Sequence, residues 1–208
     1  MGSWYLTPHR PSGRTLPTIL PMTTNHGPMI AHTRTENLPT DVLADLRTDH
    51  AGETGAIWIY RGILQFTRDP GLRAFATQHL ETEAEHLQQM EVWLPRAQRS
   101  RLLPIWRVAG WLTGALPAVL GPRAVYATVQ AVETFVDQHY AEQVQRLQSH
   151  AELRALRQTL LVCQTDEIAH RDEAAAALGP VTPGLGLKLW CWLVDAGSRG
   201  AVAVCRHI

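Results

Sequence analysis

Two acidic stretches of the chain each contain a glutamate followed three residues later by a histidine. They are Glu83 with His86, in ETEAEH, and Glu167 with His170, in DEIAH. On an α-helix, a step of three residues leaves two side chains about 60° apart around the axis, so both can bind one ion. A single pair of this kind is a weak signal, because it is usually a solvated ion pair. Two pairs in one chain are typical of paired metal-binding helices.

A lone glutamate precedes each Glu-x-x-His pair, so the pattern is an internal repeat. Glu53 lies 30 residues before Glu83, and Glu133 lies 34 residues before Glu167. This is the ligand plan of carboxylate-bridged di-iron and di-manganese helical bundles. Four carboxylates balance the charge of two divalent ions, and mixed oxygen and imidazole ligands suit iron or manganese. We therefore expect six metal ligands, namely Glu53, Glu83, His86, Glu133, Glu167 and His170.

The elements that must position these ligands are predicted to be helices. From residue 38 onward there is no sustained alternation of apolar and polar residues and no Asn-Gly hairpin signal. Proline and glycine divide this part of the chain into six segments, at about 40–68, 70–94, 102–120, 122–148, 150–178 and 185–205. The predicted fold is all-α, a four-helix bundle with additional apolar helices.

Capping signals predict where two of these helices begin. Asp69 followed by Pro70 is typical of the start of the second helix. Ser149 and Glu152 match a capping box, which predicts that the fifth helix starts there.

The expected ligands of the fourth and fifth helices interrupt apolar faces. Glu167 and His170 lie on the same face of the fifth helix as Leu156 and Leu160, and Glu133 lies near the middle of a similar face. A charge within a core-facing stripe is costly unless it is paired or binds a metal. The pattern therefore favours a buried metal site over a solvated one.

Charge and cysteine content exclude several classes of function. Lys plus Arg and Asp plus Glu both number 19, so nothing favours nucleic acid as a partner. Three cysteines are too few and too scattered for a disulfide framework or a thiolate metal site, and a reducing compartment is expected.

The N-terminal region differs in composition from the rest of the chain. The first 35 residues contain no Asp or Glu, three Arg and five of the 13 prolines. No apolar run there is long enough for a secretory signal, and the prolines argue against an amphipathic transit helix. We expect residues 1–37 to be a disordered or targeting extension and residues 38–208 to be one domain.

Two segments are apolar enough to contact a membrane. Residues 102–120 carry a single charge, on Arg107, but their prolines and glycines favour an interfacial helix over a span. Trp106 and Trp111 suit a membrane boundary, as do Trp190 and Trp192 in the last segment. Core helices are the alternative. The basic link at residues 96–101 is suited to anionic headgroups.

Several motifs resemble those of the demethoxyubiquinone hydroxylases, the ferritin-like di-iron enzymes of ubiquinone biosynthesis. The resemblance covers residue 38 to the C-terminus. It departs at Thr54, Ile63 and Thr134, none of them a ligand position. The similar stretches are LRTDHAGETGAIWIYRG (46–62), ETEAEHL (81–87), LLPIWRVAGWLTGALPAVLG (102–121), AVETFVDQHY (131–140) and DEIAHRD (166–172).

The resemblance implies a ferritin-like bundle with two iron ions bound by the same six residues. It implies a monooxygenase that uses O₂ to hydroxylate a polyprenylated methoxy-methyl-benzoquinol, with electrons from NADH or from the quinol. The expected location is the surface of a membrane, either the cytoplasmic face of a bacterial inner membrane or the matrix face of the mitochondrial inner membrane. An accessory protein of ubiquinone biosynthesis is an expected partner.

Residues beside the ligands are candidates for holding them in place. Arg47, Asp49 and His50 are either such supports or a surface ion-pair patch. Ala51 and Gly52 would let a neighbouring helix or the substrate approach closely.

Other polar side chains near the ligands have two interpretations each. The resemblance places His139 and Tyr140 near the site, but periodicity favours a surface position for His139 and a core position for Tyr140. His79 is expected in the core or beside a ligand. Asp166 either hydrogen-bonds to a ligand imidazole or is exposed.

Three other functions remain open from the sequence. They are a different ferritin-like di-iron oxidase or hydroxylase, an iron storage or detoxification protein, and a metal-free lipid- or quinone-binding module. The apolar segments argue against storage, and metal analysis would exclude the metal-free module.

Overall fold

The computed structural model describes residues 38–180 and 184–208, and these form helices without any strand. The expected extension at residues 1–37 lies outside the described residues. The α-helices are α1 (Thr40–Phe66), α2 (Pro70–Trp93), α3 (Leu103–Leu120), α4 (Pro122–Arg146), α5 (Arg154–Leu178) and α6 (Leu185–Cys205). The prediction of an all-α fold is confirmed.

Capping explains one helix start but not the other. The Asp69 side chain accepts a hydrogen bond of 2.7 Å from the Leu72 amide, as a capping residue should. The predicted capping box at Ser149 is wrong, because the chain makes two 3₁₀ turns, Leu147–Ser149 and Ala151–Leu153, before α5 begins. Glu152 instead lies 3.0 Å from the His150 ring.

Four helices, α1, α2, α4 and α5, form a bundle with two apolar clusters, one toward each end. One cluster contains Leu46, Met90 and Leu156, and the other contains Ile63, Phe75 and Val129. Along each helix, the expected metal ligands lie between the two clusters. Apolar packing at both ends thus holds the middle of the bundle closed around the polar residues.

Helices α3 and α6 lie outside this bundle and pack on α1 and α4. Backbones of α1 and α3 approach closely: a Cβ atom added at Gly110 would overlap the Gly55 carbonyl, and one at Gly114 would overlap the Ile59 carbonyl. A Cβ at Gly52 would meet nothing within 4 Å, so the helix contact expected there occurs instead one to two turns later.

Exposed apolar side chains are concentrated on α3 and α6. Among the described helices, α3 alone has the length and composition to cross a membrane, and 28% of its residues are buried. Length and composition do not by themselves establish a span. The exposed set includes Ile105, Val108, Val119 and Leu120 on α3, and Leu185, Leu189, Trp192 and Leu193 on α6.

The last turn of α6 is fixed to α1 and to the link after α2. Arg206 pairs with the Asp45 carboxylate, and Arg47 donates to the Arg206 carbonyl at 3.1 Å. The Cys205 thiol lies 3.4 Å from the Ser100 hydroxyl, and both residues are buried.

Candidate metal centre

The six expected ligands come together in the middle of the bundle. α1 supplies Glu53, α4 supplies Glu133, and α2 and α5 supply the two Glu-x-x-His pairs. All six are between 1% and 5% exposed. Four acidic side chains in an apolar interior are too costly to leave unpaired, so this concentration itself indicates a cation site.

The ligand atoms form two groups that share two carboxylates. In each group, one atom from every residue lies within 4.8 Å of the others. One group is Glu53, Glu83, His86 and Glu167, and the other is Glu83, Glu133, Glu167 and His170. Glu83 and Glu167 belong to both, which is how bridging carboxylates hold two ions in a bundle of this kind.

Buried polar atoms without a hydrogen-bond partner lie within the same cluster. Glu83 Oε1, Glu167 Oε2 and His170 Nδ1 are buried and form no hydrogen bond with any described residue. His170 Nδ1 nevertheless lies 3.3 Å from Glu83 Oε1 and 3.4 Å from Glu167 Oε2. Buried polar atoms that face one another without hydrogen bonds fit a bound cation.

Burial and neighbouring carboxylates shift the pKa values of the clustered side chains. Burial raises the pKa of Glu53 and of Glu133 well above the usual range, and the neighbouring Glu83 and Glu167 carboxylates raise each pKa further. Burial lowers the pKa of His170, but the Glu167 and Glu83 carboxylates outweigh it and raise the pKa to about 9. The donor set therefore holds protons that two divalent cations would replace.

Each histidine of the cluster turns a ring nitrogen toward the carboxylates. His86 Nδ1 lies 3.1 Å from Glu167 Oε1, while its Nε2 lies 3.1 Å from Asp166 Oδ2. Asp166 thus makes the hydrogen bond to an expected ligand imidazole, although 43% of its side chain is exposed. An outer hydrogen bond of this type orients a metal-binding ring.

Two tyrosines donate hydrogen bonds to the outer carboxylates. The Tyr60 hydroxyl donates to Glu133 Oε1 at 3.0 Å, and the Tyr140 hydroxyl donates to Glu53 Oε1. Both tyrosines are 1% exposed. Tyr140 therefore lies both in the core and at the site, as its two interpretations allowed. Tyr60 belongs to the similar stretch 46–62, but no role was predicted for it.

His79 lies beside the cluster without belonging to either group. Its ring stacks on His170 with centroids 3.9 Å apart. Nδ1 lies 3.2 Å from the Tyr60 hydroxyl and Nε2 lies 3.0 Å from Glu173 Oε2. A hydrogen-bonded chain thus runs from Glu133 through Tyr60 and His79 to Glu173, whose side chain is half exposed.

A second polar network lies one helical turn before Glu53. Asp49 Oδ1 lies 3.1 Å from His139 Nε2 and 2.6 Å from Gln143 Nε2. The surface position favoured for His139 is wrong, because only 14% of its side chain is exposed and it bonds to Asp49 and Thr48. The packing of α4 against α1 places His139 between the two helices, and the periodicity of α4 alone does not reveal this contact.

The charged residues before Glu53 do not form a surface patch. Asp49 and His50 are both buried, and the nearest acid to His50 is Glu91, at 3.6 Å. Arg47 donates to the Gln98 carbonyl at 2.7 Å and so supports the link after α2. Their partners are not the expected metal ligands.

A cavity of about 330 Å³ lies next to the cluster, between α1, α4, α3 and α6. Carboxylates of both groups line its inner end, and so does Gly52. Its outer walls are mainly apolar and include Trp106 and Gly110 of α3 and Trp190 and Val194 of α6. The two apolar helices therefore enclose a site large enough for an organic ring.

A four-helix bundle with two carboxylate–histidine groups that share two glutamates defines a class of carboxylate-rich helical proteins whose interior could hold metal ions. The family model described as "Ubiquinone biosynthesis protein COQ7" matches residues 41–205. The chain belongs to this family. The family expected from the sequence motifs is thereby confirmed.

Three relatives are similar over most of the chain. The protein named 3-demethoxyubiquinol 3-hydroxylase from Rhodospirillum rubrum is 34% identical over 162 residues, covering 72% of this chain and 76% of that protein. The protein named NADPH-dependent 3-demethoxyubiquinone 3-hydroxylase, mitochondrial, from Dictyostelium discoideum is 33% identical over 171 residues. The match covers 78% of this chain and 76% of that protein. The protein of the same name from Caenorhabditis elegans is 30% identical over 171 residues, and the match covers 78% of this chain and 88% of that protein.

Proposed function

We propose that this chain is a di-iron monooxygenase that hydroxylates the ring of a polyprenylated methoxy-methyl-benzoquinol, demethoxyubiquinol, in ubiquinone biosynthesis. The observation that carries the proposal is the pair of ligand groups sharing Glu83 and Glu167 at the inner end of an apolar cavity. Family membership and the names of the relatives support the substrate class.

The six residues of the two groups would hold the iron ions. Iron bound there would supply activation of O₂, so that one oxygen atom enters a ring C–H bond and the other leaves as water. Tyr60 and Tyr140 fix the orientation of Glu133 and Glu53 through hydrogen bonds. The apolar walls of the cavity exclude water from the ring, which strengthens electrostatic interactions inside the site.

A membrane surface is the proposed source of the substrate. The exposed apolar residues of α3 and α6 flank the same cavity that the ring would enter. A polyprenyl tail prefers hydrocarbon to water, so an enzyme that lies on the bilayer can receive the ring while the tail stays in lipid. We propose peripheral attachment to a bacterial inner membrane or to the matrix face of the mitochondrial inner membrane, with electrons from NADH or from the quinol.

Complementation tests this function directly. A strain that lacks its own demethoxyubiquinone hydroxylase should regain ubiquinone when it expresses this chain, and should continue to accumulate the demethoxy precursor when it expresses Glu167→Gln. Exposed Glu81→Gln, beside Glu83 on α2, is the matched control and should restore ubiquinone.

The purified chain should also contain iron. Iron without any hydroxylated product would indicate an iron-handling protein, and a metal-free chain that still binds the quinol would indicate a lipid- or quinone-binding module. Either result contradicts the proposal.

A further inference from the structure

His79 is a buried histidine that belongs to neither ligand group, yet both of its ring nitrogens are in contact with polar atoms. The residue is 0% exposed. Its Nδ1 lies 3.2 Å from the Tyr60 hydroxyl, and its Nε2 lies 3.0 Å from Glu173 Oε2. The plane of a histidine ring turns easily about the last side-chain torsion unless such contacts hold it. Contacts at both nitrogens therefore fix the plane of the His79 ring.

Two aromatic rings also pack against the ring of His79. The His170 ring stacks on it, with centroids 3.9 Å apart and an interplanar angle of 22°. The centroid of the Phe75 ring lies 4.0 Å away. All three residues are buried, so the His79 ring cannot turn without losing several contacts at once. His79 thus presents a fixed flat surface to His170.

The two histidines of the ligand groups differ in what orients their rings. Nε2 of His86 lies 3.1 Å from Asp166 Oδ2. Nε2 of His170 has no hydrogen bond or ion pair with any described residue. A metal-binding imidazole usually has an outer partner that sets its orientation. For His170, the stacked ring of His79 is the contact that can do this.

The same side chain also reaches a second expected ligand. The Tyr60 hydroxyl, which contacts His79, donates a hydrogen bond of 3.0 Å to Glu133 Oε1. Glu133 and His170 each belong to one ligand group only, and it is the same group for both (the Glu133 group). His79 has no hydrogen bond, ion pair or ring contact with the two residues confined to the other group (the Glu53 group).

We propose that His79 is a positioning residue for one of the two ions, the one held by the Glu133 group. It fixes the His170 ring by stacking and the Glu133 carboxylate through Tyr60, while Glu173 fixes His79 itself. The other ion does not depend on it. The inference rests on the proposed function, because it concerns the ions of the same centre.

Single-ion variants allow the two metal positions to be measured separately. Glu53→Gln should keep the ion of the Glu133 group, and Glu133→Gln should keep the ion of the Glu53 group. Each variant is titrated with Mn(II), and free Mn(II) is measured by its EPR signal. Adding His79→Ala to Glu53→Gln should weaken Mn(II) binding about 10- to 100-fold, as for loss of an outer support. Adding it to Glu133→Gln should leave the affinity unchanged.

His50→Ala is the matched control, since it also truncates a buried histidine. His50 is 2% exposed, and its ionic contact is with Glu91, at 3.6 Å, and not with a proposed ligand. This variant should leave both single-ion affinities at their starting values. If His79→Ala weakens Mn(II) binding equally in the two single-ion variants, or in neither, the inference is overturned.

A change at the surface decides the question even if His79→Ala fails to fold. The Glu173 side chain is 48% exposed, so Glu173→Ala removes the partner of His79 Nε2 without truncating a core residue. It should weaken Mn(II) binding severalfold in Glu53→Gln and leave it unchanged in Glu133→Gln. An effect that is the same in both single-ion variants, or absent from both, contradicts the proposed role of His79.

The wild type separates this inference from the proposed function. If the wild type binds two Mn(II) ions per chain and neither substitution acts on one ion selectively, the inference fails alone. If the wild type binds no metal, the proposed function fails together with this inference.

Discussion

Glu83 and Glu167 differ from the other proposed ligands because each belongs to both ligand groups. Loss of either charge should therefore weaken the binding of both ions, whereas loss of the Glu53 charge should weaken the binding of one ion. We expect about two irons per chain in the wild type, about one in Glu53→Gln and well below one in Glu83→Gln. Elemental analysis after gel filtration measures these ratios.

Glu81→Gln provides the control for this series, since Glu81 is exposed on the same helix as Glu83. It should retain the wild-type iron content. Equal iron loss in Glu53→Gln and Glu83→Gln would contradict the sharing of carboxylates.

Metal affinity should increase with pH. In the metal-free cluster, the pKa values of Glu53 and Glu133 are raised by burial, and that of His170 is raised to about 9. A cation must displace the protons that these groups hold, so higher pH removes its competitor. Chelator competition with Fe(II) or Mn(II) should show affinity rising from pH 6.5 toward pH 9.

Proton release gives an independent measure of the same linkage. Calorimetry in buffers of different ionisation enthalpy should show protons released on metal binding, and fewer of them as the pH approaches 9. A metal affinity that does not change with pH would contradict the inference that metal binding displaces protons from these side chains.

Residue spacing predicted the six clustered side chains because a Glu-x-x-His step is a property of one helix. The chain from Glu133 to Glu173 was not predictable in this way. Its hydrogen bonds join residues 73, 19 and 94 positions apart, so they depend on how four helices pack. The same reason explains the wrong surface position favoured for His139, whose partner Asp49 is 90 positions away.

At the scale of the helices, the contact between α1 and α3 depends on glycine. A methyl group at Gly114 would overlap the backbone carbonyl of Ile59, which cannot move without bending α1. We expect Gly114→Ala to destabilise the chain by about 1–3 kcal/mol, as for an overpacked core. Thermal or denaturant unfolding measures the change.

Gly200→Ala on α6 is the control for this substitution. A Cβ at Gly200 meets nothing within 4 Å, so alanine there should be neutral or stabilise by up to about 1 kcal/mol through its helix propensity. If the two substitutions change the free energy of unfolding by similar amounts, the backbone contact between α1 and α3 does not determine the stability of the chain.

Periodicity located the helices well and their ends less well. The last apolar segment was predicted at 185–205, which is the observed range of α6. The start of α5 was missed because Leu147 and Leu153 are buried in one apolar cluster. Their packing keeps the intervening residues in 3₁₀ turns, so tertiary contacts override the capping pattern. The four-residue spacing of Gly110 and Gly114 is the sequence signal for the close contact of α3 with α1.

At the scale of the whole molecule, the apolar residues of α3 and α6 define the face proposed to lie on a membrane. Leu189 and Trp192 are 58% and 62% exposed and do not line the cavity. We expect Leu189→Glu with Trp192→Glu to reduce co-sedimentation with phospholipid vesicles severalfold, because a charge at the interface opposes insertion. Iron content should remain unchanged.

Val92→Glu on α2 is the matched control, since Val92 is 55% exposed but belongs to neither apolar helix. It should leave vesicle binding intact. Equal loss in both variants would show that general surface apolarity, and not this face, determines binding.

The attachment of α6 has a consequence for how the molecule opens. Among the residues of α6, Cys205 alone is buried, and the contacts of Arg206 and Cys205 fix its final turn. Nearer its start, the Trp190 indole donates a hydrogen bond of 2.8 Å to the Thr128 hydroxyl of α4. Lifting the first turns of α6 would break that hydrogen bond but would uncover no buried side chain of α6 before Cys205, so α1, α2, α4 and α5 can stay packed. Amide hydrogens near Leu189 should exchange with deuterium long before those near Leu160, so a wall of the cavity would separate without unfolding of the bundle.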